Sequence, residues 1–296
     1  MRTCAECILC LLQRDIKAVP KTAGMELKAR YQREVLGMIA GCDPDFCTAQ
    51  ISARVDAIYR QYFGERKTLD FAALKAQYNS RMLALEPALR ALVCRAQDPL
   101  RYAIQLARAG NYIDFAAGHE VQDHLLDALL QEADQEALDA AEYALFCEQL
   151  PLAERIVYLT DNAGEIVLDK LLIEVLMARF PQANFTVMVR GAPTLNDATL
   201  EDAAAVGLTE LVHTMGNGNA LAGTVLAACS VGAQTVLREA DVIIAKGQAN
   251  FETLHGCGYN IYYLFLCKCE YFVRRFQVPQ HTGMFVNERR LPALET

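Results

Sequence analysis

Residues 156–159, Ile-Val-Tyr-Leu, are an unbroken apolar run that reads as a short buried strand. They give way to the polar turn Thr160-Asp161-Asn162-Ala163-Gly164-Glu165, and then to an apolar stretch of helical period over 166–180. A strand that ends in a turn and passes straight into a helix is half of a crossover unit, and such units build parallel sheets. The same grammar continues to the C-terminus. Apolar runs near 184–189, 210–214 and 242–245 alternate with helical patterns, and 262–266 and 284–286 are expected as edge strands.

Before Pro151 the pattern is different. Apolar residues recur at helical spacing over 7–19, 25–39, 46–63, 71–94, 99–108 and 121–147, with Asp43-Pro44-Asp45 placed to cap and Gly64 placed to stop a helix. The expected fold class is therefore α/β: a Rossmann-like, largely parallel sheet with helices on both faces, preceded by an all-helical N-terminal domain. The expected domains are 1–150, helical, and 151–296, α/β and ligand-binding. A chain of 296 residues with 53% hydrophobic composition can bury a core of that size.

A net charge of -8 argues against a nucleic-acid binder that works by broad phosphate neutralisation. No run reaches transmembrane length, and Met1-Arg2-Thr3-Cys4 does not open a signal peptide, so no membrane partner and a cytoplasmic location are expected. Eleven cysteines in an acidic chain without a secretory signal are expected as reduced thiols, with Cys94, Cys147 and Cys229 in apolar helical patterns as small core residues. Cys4, Cys7 and Cys10 stand apart. Their spacing suits thiolate ligation, with Cys267 or Cys269 completing a set, and suits equally packing or a redox pair on one helical face.

In open α/β sheets ligands bind beyond the carboxyl ends of the strands, so the residues at those ends carry the functional argument. The first strand ends at Asp161 and Asn162, two oxygen donors beside a glycine and a helix start. Read alone, that sequence is also ordinary turn and N-cap chemistry. The second ends at Arg190 and runs through Gly191-Ala192-Pro193-Thr194-Leu195-Asn196 to Asp197. The third ends in Gly216-Asn217-Gly218-Asn219, whose amides could form an anion nest. The fourth ends in Lys246-Gly247-Gln248-Ala249-Asn250.

From the helical half, Gly110-Asn111 reads either as a left-handed helix cap or as a polar loop facing a cleft, with Asp114 and His119 nearby. Asp161, Asn162 and Asp197 offer only oxygen, which suits Mg²⁺ or Mn²⁺ with water in the open positions. Lys246 and glycine-exposed amides suit a phosphoryl group. Hydrolysis of a phosphomonoester follows as the natural reaction.

These segments resemble the damage-control phosphatase family, also called domain of unknown function 89. The matching motifs are Thr160 to Glu165, Arg190 to Asp197, Gly110 to Asp114 and Ala245 to Glu252, while Cys7, Cys10, Cys267 and Cys269 look like its cysteine-bearing microbial branch. The resemblance implies a metal-dependent phosphatase acting on small phosphorylated metabolites, such as sugar phosphates or damaged phosphometabolites. Asp161, Asn162 and Asp197 would hold Mn²⁺, Mg²⁺, Co²⁺ or Ni²⁺, and Lys246 would bind phosphate. By the same resemblance Asn111 and Asp114 would lie near the substrate and Glu165 and Asn250 would support the site, while Arg190, Gly216 and Asn217 are expected at the substrate from their places at the strand ends. Two other classes stay open. A nucleotide- or S-adenosylmethionine-dependent transferase fits the alternation but lacks a GxGxxG after the first strand, and a non-catalytic module would hold a metal or anion without turnover. The residues do not fix the oligomeric state.

Overall fold

The computed structural model describes residues 3–66, 70–112, 127, 130, 131, 133 and 138–291. It divides into two compact units, Met1–Asp70 and Phe71–Thr296. The change of sequence grammar at Pro151 therefore does not coincide with this division. The reason is packing: Met82, Leu89, Leu100, Ile104 and Phe146, all from the helical half, belong to one core with the sheet residues Tyr158, Val187, Ile244 and Tyr262.

The first unit holds the helices Ala5–Ala18, Met25–Ala40 and Thr48–Phe63 around Leu11, Tyr31, Val35, Ile51 and Val55. A buried polar knot lies within it. Tyr31 donates its hydroxyl proton to Asp15 at 2.6 Å, and Arg66 pairs with the same carboxylate at 2.6 Å.

In the second unit six strands form one sheet. They are β1 (Arg155–Leu159), β2 (Asn184–Val189), β3 (His213–Gly216), β4 (Val242–Lys246), β5 (Ile261–Leu266) and β6 (Gly283–Asn287), in the spatial order β3-β2-β1-β4-β5-β6. All pairings are parallel except β5 with β6. The chain steps outward from β1 through β2 to β3, then returns to the other side of β1 for β4 and β5. With right-handed crossovers, that reversal puts the connecting helices on opposite faces of the sheet and opens a crevice at the carboxyl ends of β1 and β4.

Two strand expectations need correction. The third strand begins at His213, because Leu208 and Val212 are both buried and four residues apart, the spacing of a helix rather than a strand. A short helix, Leu208–Leu211, occupies that place. β5 is an interior strand: all six of its residues are buried, and the antiparallel β6 covers the side that would have been an edge.

Candidate functional site

The turn after β1 is fixed before any ligand is considered. Ala198 donates its backbone N–H to the Asp161 carbonyl at 2.8 Å, and Ala163 donates to the Asn196 carbonyl at 2.9 Å, so this turn is zipped to the loop that follows β2. From the helix Phe71–Arg95, the side-chain oxygen of Asn79 accepts the Gly164 N–H at 2.7 Å, while its amide donates to Asp202 at 3.0 Å. The helix Glu165–Arg179 then starts with its first carboxylate facing inward.

Asp161, Glu165, Asp169 and Asp197 are all buried, with at most 8% of their surface exposed. Two amides separate the first pair. Asn162 Nδ2 lies 2.9 Å from Asp161 Oδ2 and 2.7 Å from Glu165 Oε1, and Asn111 Nδ2 lies 3.2 Å from Asp161 Oδ2 and 3.0 Å from both Glu165 oxygens. Asn111 is 2% exposed and follows a glycine in right-handed helical conformation, so Gly110-Asn111 is not a left-handed cap. It is the inward-facing alternative. Asp114 and His119 lie outside the described residues.

Two buried cations answer the four acids. Lys246 donates to Asp169 at 2.8 Å and to Glu165 at 3.4 Å, and Asp169 also accepts the Tyr158 hydroxyl proton at 2.8 Å. Burial pulls the ammonium pKa of Lys246 down, but Asp169 and Glu165 outweigh it and leave it above the ordinary value. Arg190 holds Asp197 Oδ2 through Nε at 2.6 Å and sits 3.9 Å from Asp161 Oδ1. Its NH1 reaches Thr224 and Asn250, each at 3.4 Å, whereas its NH2 has no hydrogen-bond partner. Two positive groups against four negative ones leave the cluster short of positive charge. Burial first, then Glu165 and Asp197, push the Asp161 carboxyl up to about 7, against the pull of Arg190 and Lys268. Asp197 is likewise raised, by burial, although Arg190 opposes the shift.

The turn after β4 is shaped by the same carboxylate. Gly247 has φ 81°, and a Cβ there would stand 2.1 Å from Asp161 Oδ2, so only glycine fits between β4 and the acid. Asn250 ties this turn to the first, donating to the Thr160 carbonyl at 3.1 Å and to the Lys246 carbonyl at 2.7 Å.

Gly216 ends β3 and Asn217 follows it, with the Asn217 Nδ2 buried and without a hydrogen-bond partner. Asn217 is fully buried, and its Oδ1 accepts the N–H groups of Gly191 at 2.8 Å and Asn219 at 3.1 Å. A Cβ on Gly191 would lie 2.3 Å from the Gly218 nitrogen, which brings the two loops into backbone contact. The amide groups that sequence reasoning offers to an anion are in part occupied by this packing.

Sequence reading misses Asp169, Asn79 and Thr224, which hydrogen-bond with the site's side chains and turns. Asp169 leaves a visible signal, a lone acid within the apolar stretch 166–173, and so does Asn79, a carboxamide on the buried side of its helix. Among the described residues no three His, Cys, Asp or Glu side chains gather as a metal-ligand group. Cys4 and Cys7 sulfurs are 3.2 Å apart, with burial and Cys4 pushing the Cys7 thiol up to about 12, and Cys10 is exposed. Cys94 is exposed rather than a core residue, Cys147 is half-buried and Cys229 is buried. No helix among the described residues is long and apolar enough to cross a membrane.

A Rossmann-like sheet with buried acids and bases converging at its topological switch point defines an α/β protein with a polar site at the β1/β4 crevice. The chain belongs to the damage-control phosphatase ARMT1-like domain family, whose pattern it matches over residues 3–283. It is 30% identical to a damage-control phosphatase of Archaeoglobus fulgidus over 272 residues, 90% of this chain and 91% of that protein. It is 35% identical over 179 residues to damage-control phosphatase PH1575 of Pyrococcus horikoshii, a match that spans 60% of this chain and only 61% of the relative. The crystal structure of PH1575, a DUF89 family protein, superposes with a TM-score of 0.79 at 26% identity, covering 97% of this chain and 99% of that one.

Proposed function

We propose that the chain is a phosphatase that hydrolyses small phosphorylated metabolites with the help of a divalent cation, Mn²⁺ or Mg²⁺ foremost, and Co²⁺ or Ni²⁺ as substitutes. The observation that carries this reading is the excess of buried acid at the β1/β4 crevice, where four buried carboxylates pair, among the described residues, with the two buried cations Lys246 and Arg190. A carboxyl whose pKa is raised by burial first and by acidic neighbours second is a place where a cation lowers the energy of the protein. The names of the two relatives, damage-control phosphatases, support the phosphatase part of this reading.

The donor set fits a hard cation. Asp161 and Asp197 offer carboxylate oxygen and Asn162 a carboxamide oxygen, and water or substrate oxygens complete such shells. When bound, the cation supplies Lewis acidity toward a phosphoryl oxygen and a water of lowered pKa.

The chain's own residues do the positioning. Arg190 holds one oxygen of Asp197 and leaves the other available, while Asn111 and Asn162 orient Asp161 by donating to its Oδ2. Lys246 neutralises Glu165 and Asp169 beneath the crevice, and Asn250 locks the two turns that carry Asp161 and Lys246. Arg190, with NH2 unsatisfied, is the buried donor suited to charge that develops on a transferring phosphoryl group.

The test is a screen of sugar phosphates and p-nitrophenyl phosphate against each divalent cation. The reading expects hydrolysis that EDTA abolishes and Mn²⁺ or Mg²⁺ restores. Cation binding with no turnover of any phosphomonoester would instead support the non-catalytic module.

A further inference from the structure

Resting on the cation-dependent reading above, we propose that Asn79 is a positioning residue. It couples the Asp161 turn to the Asp197 loop from outside both, and so sets how strictly the crevice discriminates between divalent cations. Asn79 lies on the helix Phe71–Arg95, is 3% exposed, and hydrogen-bonds to neither carboxylate. Each half of its carboxamide is committed to a different loop.

The oxygen serves the first turn. Gly164 has φ 79° and ψ -55° and begins the helix Glu165–Arg179 without a side-chain cap of its own. Its N–H is given to Asn79 Oδ1 at 2.7 Å, which fixes the turn between Asn162 and Glu165. The nitrogen serves the second loop. Asn79 Nδ2 donates to Asp202 Oδ1 at 3.0 Å, while Asp202 Oδ2 accepts the Thr199 N–H at 2.8 Å and the Thr199 hydroxyl proton at 2.7 Å. That capping box starts the helix Leu200–Ala205, and its Thr199 stands two residues beyond Asp197. Lys75, one turn before Asn79 on the same helix, pairs with Asp202 at 2.6 Å, so the helix grips this acid twice.

The two loops also meet directly, through the Ala198 N–H to the Asp161 carbonyl at 2.8 Å and the Ala163 N–H to the Asn196 carbonyl at 2.9 Å. Asn79 adds an attachment that depends on neither strand. So fastened, Asp161 and Asp197 have little freedom to spread. Mg²⁺ demands a near-octahedral shell with oxygens at about 2.0–2.1 Å, whereas Ca²⁺ takes a larger, irregular shell at about 2.3–2.6 Å. A stiff pair of carboxylates therefore disfavours Ca²⁺, and a loosened pair admits it at the expense of Mg²⁺. Removing a residue that orients metal ligands without binding the metal changes affinity by about ten- to a hundredfold.

Calorimetric Kd values for Mg²⁺ and Ca²⁺ test this on the full chain, with urea unfolding to report the fold and p-nitrophenyl phosphate turnover to report activity. The variants are Asn79→Ala, the isosteric Asn79→Asp, which sets two carboxylates together, and the exchange of Asn79→Asp with Asp202→Asn. The exchange reverses amide and acid, so both loops keep their hydrogen bonds. Wild type is expected to prefer Mg²⁺, and each single variant to shift the ratio of the two affinities at least about tenfold toward Ca²⁺. The exchange is expected to restore most of that ratio. A purely structural role would weaken both cations together and leave the ratio alone. That result, or unchanged affinities in a folded Asn79→Ala, overturns the assignment. Should Asn79→Ala not fold, the isosteric variant and the exchange decide by the same ratio. If the ratio shifts as expected while wild type turns over nothing, the positioning role stands and the phosphatase reading falls. If wild type binds neither cation, both fall.

Discussion

The loop after β3 and the paired turns after β1 and β4 look alike in sequence, since each joins glycine to polar side chains at a strand end. In the structure they differ in buried charge. At β3, Asn217 spends its oxygen on two backbone N–H groups, its buried Nδ2 has no hydrogen-bond partner, and Gly191 and Gly218 meet backbone to backbone, with no buried ionisable side chain in the Gly216–Asn219 turn. At β1 and β4, side chains face side chains: Asp161, Glu165, Asp169 and Asp197 outnumber the buried cations Lys246 and Arg190, and Arg190 NH2, 3.9 Å from Asp161 Oδ1, has no hydrogen-bond partner. We read a strand-end loop that buries no charge as scaffold. One whose buried charges do not balance is prepared for a ligand.

That contrast can be broken at both ends. The largest effect belongs to the acids: Asp161→Ala or Asp197→Ala should cut cation-dependent turnover by on the order of a thousandfold, with the circular dichroism spectrum unchanged. Retained activity in both would remove the proposed metal ligands. Lys246→Met comes next, through stability. Stranding Glu165 and Asp169 without their counter-charge should cost about 3–5 kcal/mol in urea unfolding, and a loss under 1 kcal/mol would mean that the buried pair is easily replaced.

Gly247→Ala sharpens the geometry, because it sets a methyl against the Asp161 carboxylate and forces a positive φ on alanine. We expect a loss of about 1–3 kcal/mol in stability together with a clear weakening of Mn²⁺ binding by calorimetry; unaltered Mn²⁺ affinity would show that Asp161 is not held in place by that contact. The smallest functional effect is expected at the scaffold loop. Asn217→Ala should lower stability by about 1–3 kcal/mol and leave Mn²⁺ affinity within about twofold of wild type, measured on the same instrument. A variant that folds normally but loses cation or phosphate affinity would make the β3 loop part of the site.

How much of this is legible in the sequence depends on the range of each interaction. β1, β2 and β4 are readable because a parallel strand covered on both faces must be apolar throughout. Asp161, Asn162 and Lys246 are readable because such strands end abruptly in polar residues. The partners that give them meaning are not. Asp169 finds Lys246 across 77 positions, Asn111 finds Glu165 across 54, and Asn79 finds Gly164 across 85, contacts set by helix packing that no local pattern encodes. β3 was displaced for a related reason, since Leu208 and Val212 are apolar in a spacing that only the core can interpret.

The central claim is that the β1/β4 crevice is a cation site completed by Asp161, and calorimetric titration of Mn²⁺ into wild type and Asp161→Asn tests it directly. The account predicts one site per chain in wild type, with affinity reduced at least about tenfold by the substitution, as removal of a ligand's charge requires. Equal affinity in the two proteins, or no binding to wild type, would contradict it.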